Sequence, residues 1–131
     1  MYFNNDKILL EILHRSENSL RAARDEVDAM VDDCIREGAS SESPPAIRRL
    51  ASRMVRYNEL KRIVDRIEAQ KKKTEAPVTV KYMTNLLSTF HAQILSQATR
   101  LETSTCQMTN MIERDRLVIL SELYRDLKEI L

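Results

Sequence analysis

The chain of 131 residues reads as all-α, and three observations say so: a single glycine, only three prolines, and apolar residues recurring at spacings of three and four. Turns that need positive φ are normally built with Gly or Asn, and a many-stranded β fold needs one every ten residues or so. Gly38 stands alone, and Pro44, Pro45 and Pro77 are the only prolines. With 43% hydrophobic and 31% charged residues the chain can bury a core, and its length suits one domain spanning residues 1–131. The breakers divide it into residues 1–37, 46–76 and 78–131, and each piece reads as helix.

Helix 1 is expected over about 5–37. Asn4, Asn5 and Asp6 can cap its first N–H groups. Leu9, Leu13, Ser16, Leu20, Ala23, Val27, Met30 and Cys34 then alternate steps of four and three, a heptad seam without error. Ile8, Ile12, Val31 and Ile35 widen that stripe at both ends. Gly38 supplies a left-handed cap, and a loop over 38–45 follows.

Helix 2 is expected over about 45–73, with proline placed where a first-turn N–H is dispensable. Its stripe is Ile47, Leu50, Met54, Tyr57, Leu60, Ile63, Val64 and Ile67. The step from Tyr57 to Leu60 breaks the heptad and indicates a globular 3.6 period. Lys71, Lys72 and Lys73 favour the C-terminal end of the helix dipole. A loop over 74–79 carries Pro77, which disfavours the helical region at Ala76.

The last stretch, 80–131, contains neither Gly nor Pro. Val80, Met83, Leu87, Phe90, Ile94, Leu101, Met108 and Met111 keep one phase, with Gln97 and Ser104 as polar members of it. Leu117, Leu120, Tyr124, Leu127 and Leu131 keep another. The slip between them predicts a break or kink in 102–116, giving four helices in a hairpin-plus-long-helix bundle. The segment from Tyr82 to Thr99 has no acid, Lys or Arg, yet its Thr, Asn, Ser and Gln make it too polar to span a membrane. It is expected to be the helix most enclosed by its neighbours, with His91 partly buried and hydrogen-bonded there. Val78, Val80 and Tyr82 alternate like a strand, but no second strand is expected to pair with them.

Charge is shared unevenly. Residues 1–37 carry five cations against nine anions, and residues 38–76 ten against five. The acidic end of helix 1 (Asp25, Glu26, Asp28, Asp32, Asp33, Glu37) and the basic start of helix 2 (Arg48, Arg49, Arg53, Arg56) each have the wrong sign for their helix terminus. An antiparallel hairpin would let the two blocks compensate each other.

Several chemistries are excluded or weakened by the same residues. Phosphate-cradling loops of the P-loop and dinucleotide kinds each need several glycines. Asp25, Glu26, Asp28, Asp32 and Asp33 together resemble the acidic helices of all-α nucleotide pyrophosphohydrolases. That resemblance implies a magnesium-dependent hydrolase, which needs a second strict acidic pair. Asp65-Arg66-Ile67-Glu68 departs from that pattern, and the set reads as a solvated acidic face. Glu11 and His14 spell one Glu-x-x-His, where di-iron bundles use two such motifs, and both fall outside the helix 1 seam. Two distant histidines make no nucleophilic triad. Cys34 and Cys106 lack metal-type spacing, and the opening Met-Tyr-Phe-Asn-Asn-Asp lacks an export signal. The expectation is a soluble intracellular protein with no catalytic, cofactor or metal residues.

What remains is amphipathic surface. Helix 1 alone is about 50 Å long at 1.5 Å per residue, and a chain this short has little room to cover every stripe. The sequence therefore predicts an assembly or adaptor protein that binds copies of itself or a larger complex. Leu9, Leu13, Leu20, Val27 and Met30 form one expected interface, and Leu120, Tyr124 and Leu127 a second. The alternative is a nucleic-acid-associated helical subunit using Arg48, Arg49, Arg53 and Arg56, since Arg49, Arg53 and Arg56 share a helix face suited to phosphate contacts.

Overall fold

A computed structural model describes residues 1–37, 44–103 and 107–131. Among them are four helices: α1 (Asp6–Glu37), α2 (Pro44–Thr74), α3 (Val80–Thr103) and α4 (Gln107–Glu129). The protein is all-α, as its spacing predicts. The end of α3 and the start of α4 fall inside the interval 102–116 where the apolar phase slips. The Gly38 cap, the link 39–43, Ser104 and Cys106 lie outside the described residues, as do the side chains of Cys34, Met108 and Met111.

Side-chain pairs fix the directions of the helices. Lys71 meets Asp6 and Arg49 meets Glu26, so residue numbers run oppositely and α1 and α2 are antiparallel. Arg48 meets Asp115 and Arg56 meets Asp126, so numbers rise together and α2 and α4 are parallel. Backbones pack closely between α1 and α2, α2 and α4, and α3 and α4. The successive helices α2 and α3 do not pack closely. Their side chains meet instead, in the shared core and at the surface, where Arg62 donates to Gln93 at 3.2 Å and the Tyr82 hydroxyl to the Arg66 carbonyl at 3.4 Å.

The core is one cluster. Phe3 and Leu9, Leu60, Ile63, Val64 and Ile67 of α2, Met83, Leu87, Phe90 and Ile94 of α3, and Leu120, Leu123 and Leu127 of α4 are all buried in it. On α1 the heptad seam faces inward at Leu9, Ser16, Leu20 and Ala23, and only partly at Leu13, Val27 and Met30. The inward face of α2 differs from the expected stripe in its first half. Ala46 is buried, whereas Ile47 and Met54 are exposed. A methyl group fits the inward position there, and the larger side chains turn outward. Nor is α3 the most enclosed helix. It buries one narrow stripe, while Thr84, Thr89 and Thr99 face outward and return their hydroxyls to the carbonyls four residues back. Uncharged polar residues are mostly exposed too, so lack of charge did not mark burial.

Two ends are tied in ways the pattern did not forecast. The segment 78–80 does find a partner: Phe3 donates to the Val78 carbonyl at 2.8 Å and Val80 to the Met1 carbonyl at 3.0 Å, around a single antiparallel bridge between Tyr2 and Thr79. Thr79 then caps α3 by accepting from the Tyr82 N–H at 3.0 Å. Asn5, expected as a cap, sends its amide to the Ile130 carbonyl at 2.6 Å, joining the start of α1 to the last turn of α4. α2 ends on Glu75 at φ 53°, a left-handed cap made without glycine.

Candidate functional site

The two expected interfaces divide by burial. Leu9, Leu20, Leu120 and Leu127 are core residues of the single chain, between 0% and 7% exposed, and offer no apolar surface to a partner. The stripe that carries them is filled by the chain's own helices. Leu13, Val27, Met30 and Tyr124 are half-buried at its edge. Large aliphatics that reach solvent include Ile8 and Leu10 at the start of α1, Val31 and Ile35 near its end, Ile47 and Met54 on α2, Leu95 on α3, and Ile112 and Val118 on α4. Ile35, Ile112 and Ile47 are 76%, 61% and 53% exposed. The sequence carried this signal in Val31 and Ile35, which sit beside the seam and not on it. For α4 the signal was absent, because Ile112 and Val118 fall in neither apolar phase.

Each of the four expected phosphate-binding arginines has an acceptor within the chain. Arg48 holds Asp115 at 2.6 Å, Arg56 holds Asp126 at 2.8 Å, and Arg53 donates to the Ser19 carbonyl at 3.2 Å. Arg49 grips both oxygens of Glu26. That hydrogen bond holds the Glu26 carboxyl below its ordinary pKa, aided by the charges of Arg49 and Arg53. The hairpin compensation expected between α1 and α2 thus comes down to Arg49 with Glu26, while Arg48 and Arg56 turn to α4. Asp25, Asp28, Asp32 and Asp33 stay on the surface of α1, and of these only Asp33 has an ion-pair partner among the described residues, the neighbouring Arg36.

Asp65 and Glu68 pair with Lys61 and Lys71 on their own helix, away from the acidic end of α1. Among the described residues no group of three or more His, Cys, Asp or Glu could hold a metal ion. Glu11 and His14 are exposed. His91 is exposed as well, and stacks on Tyr124 with centroids 4.6 Å apart and planes 13° from parallel. It is a surface ring on the α3–α4 seam, not the partly buried imidazole that its place beside Phe90 suggested.

At the surface α2, α3 and α4 together line a cleft. Its deeper part, about 340 Å³, is bordered by Glu59 and Arg62 of α2, Gln97 and Arg100 of α3, and Arg116 and Leu120 of α4. Gln97 Oε1 is buried there with no donor in the protein. Arg116 also borders a second, more apolar part of about 360 Å³ between α2 and α4, lined by Ala51, Val55, Ile112 and Ile119 and by the charged Arg48, Glu113 and Asp115. Three arginines meet one glutamate in the deeper part, and Arg62 already binds that glutamate. Arg100 and Arg116 make no ion pair among the described residues.

No helix among the described residues is long and apolar enough to cross a membrane. No protein-family model, no curated protein and no solved structure matches the chain.

Proposed function

We propose that this chain is a non-enzymatic helical assembly protein that binds other helical surfaces, copies of itself first. The observation that carries the reading is a division of labour among its aliphatic residues. One contiguous core takes the seam leucines, yet Val31, Ile35, Ile47, Met54, Ile112 and Val118 remain on the surface, none of them needed to close the fold. Isolated surface aliphatics are ordinary. Here Ile112 lies in an open cleft, and Ile47 and Met54 flank its Ala51 on the same helix face, which is the arrangement of a docking surface. The arginine row supports nucleic-acid binding less well, because a phosphate would have to displace an acceptor at each of the four positions.

The test is sedimentation equilibrium of the intact chain beside the variant Ile35→Ser, Ile47→Ser, Ile112→Ser. All three side chains are mostly exposed, so the variant should keep its helicity and melting temperature. The intact chain should show a mean mass that rises with concentration above 15.2 kDa, and the variant should stay near the monomer mass. An intact chain that stays monomeric, or a variant that associates as tightly, overturns the reading.

A further inference from the structure

The end of α1 and the α2–α3–α4 cleft are complementary in charge and in apolar content. Between Asp25 and Ile35, α1 carries Asp25, Glu26, Asp28, Asp32 and Asp33 and no cation. Asp28, Val31, Asp32 and Ile35 follow one another at steps of three, one and three, and so share one helical face, which is exposed throughout. That face presents two aliphatics flanked by carboxylates. The cleft presents the converse: Ile112 and Ile119 in its apolar part, where Glu113 and Asp115 are set against Arg48 and Arg116, and beside it Arg62, Arg100 and Arg116 against the single Glu59. The side chains of α2 and α3 meet in the core, and above it the two helices leave a groove open at Glu59, Arg62, Gln97 and Arg100.

We infer that the acidic end of α1 from one copy seats in this cleft of the next. The inference rests on the assembly reading above and names the two surfaces that meet. Val31 and Ile35 would lie over Ile112 and Ile119, and Asp28 and Asp32 would face Arg100 and Arg116, which have no carboxylate partner among the described residues of their own chain. The two surfaces are different parts of the molecule, so the contact is heterologous. A pair joined this way keeps one tip and one cleft free, and the assembly grows as a chain or closes as a ring. Contacts of this kind are screened by salt, because the charges sit at the rim of the interface.

The experiment exchanges the charges. One variant carries Asp28→Lys and Asp32→Lys, the other Arg100→Glu and Arg116→Glu, with circular dichroism as the check that both are folded. Each alone sets like charge against like and should sediment at the monomer mass. Mixed in equal amounts they are complementary in both directions, and the mixture should recover a mass at least twice 15.2 kDa, lost again at high salt. Variants that still associate like the intact chain, or a mixture that stays monomeric while the intact chain associates, overturn these surfaces and leave the assembly reading standing. An intact chain that is itself monomeric overturns both.

Discussion

Leu127→Ala separates a leucine that closes the fold from one that binds a partner. Leu127 is fully buried in the cluster that also holds Leu9, Leu60 and Leu123. Truncating such a side chain removes its transfer free energy and leaves a cavity, a loss of roughly 2–5 kcal/mol. An unfolding entropy of about 2.1 cal/mol/K per residue amounts to ~0.28 kcal/mol/K for 131 residues, so a loss of 3 kcal/mol lowers Tm by about 11 °C. Val118→Ala is the control on the same helix: Val118 is exposed, and its loss should stay within about 0.5 kcal/mol, under ~2 °C. Both should be melted by calorimetry at two concentrations a hundredfold apart. A contact inside one chain gives the same difference from the intact protein at either concentration, whereas a contact between copies gives a difference that shifts with it. A loss below about 1 kcal/mol, or one that depends on concentration, would refute the placement of Leu127 in the monomer core.

Further outcomes follow from individual contacts. Asn5→Ala removes the hydrogen bond to the Ile130 carbonyl, and should cost about 1 kcal/mol and speed amide exchange in the last turn of α4 selectively; uniform exchange changes would count against it. Burial pulls the Lys71 pKa down, but the hydrogen bond to Asp6 and the charges of Asp6 and Glu68 outweigh it, so the folded value is raised. Its contribution is therefore complete below the ordinary lysine value and is lost as pH rises through the folded one; Lys71→Met should flatten that alkaline loss of stability, and an unaltered profile would show that the pair is silent. Fluorescence anisotropy on a labelled DNA duplex should give binding no tighter than the non-specific range of about 10⁻⁴–10⁻⁶ M at physiological salt, whereas tight binding with a steep salt slope, weakened by Arg49→Gln, would favour the nucleic-acid reading.

The helices were legible because their residues repeat a local rule. The four-three spacing of α1, the proline at the start of α2 and the phase slip before Leu117 are each set by neighbours a few positions away. What was not legible depends on which helix lies opposite. Ala46 is buried in place of Ile47, and which side of α2 is covered depends on its neighbours in space, which hydrophobicity along α2 does not encode. Asn5 reads locally as a cap, yet its amide goes to Ile130, 125 positions away. The arginine row and the acidic end of α1 were both visible. Their partners were not, because α4 lies parallel to α2 and takes Arg48 and Arg56 for Asp115 and Asp126. The cleft had no signature in the sequence at all, since its lining comes from three helices brought together only by the fold.

Absolute mass by light scattering on a sizing column, with the intact chain loaded over a range of concentrations, tests the assembly claim most directly. The mass should rise above 15.2 kDa with concentration and fall back when salt is raised. A mass that stays at 15.2 kDa up to concentrations of about 1 mM, where even a contact worth only ~4 kcal/mol would register, would contradict it.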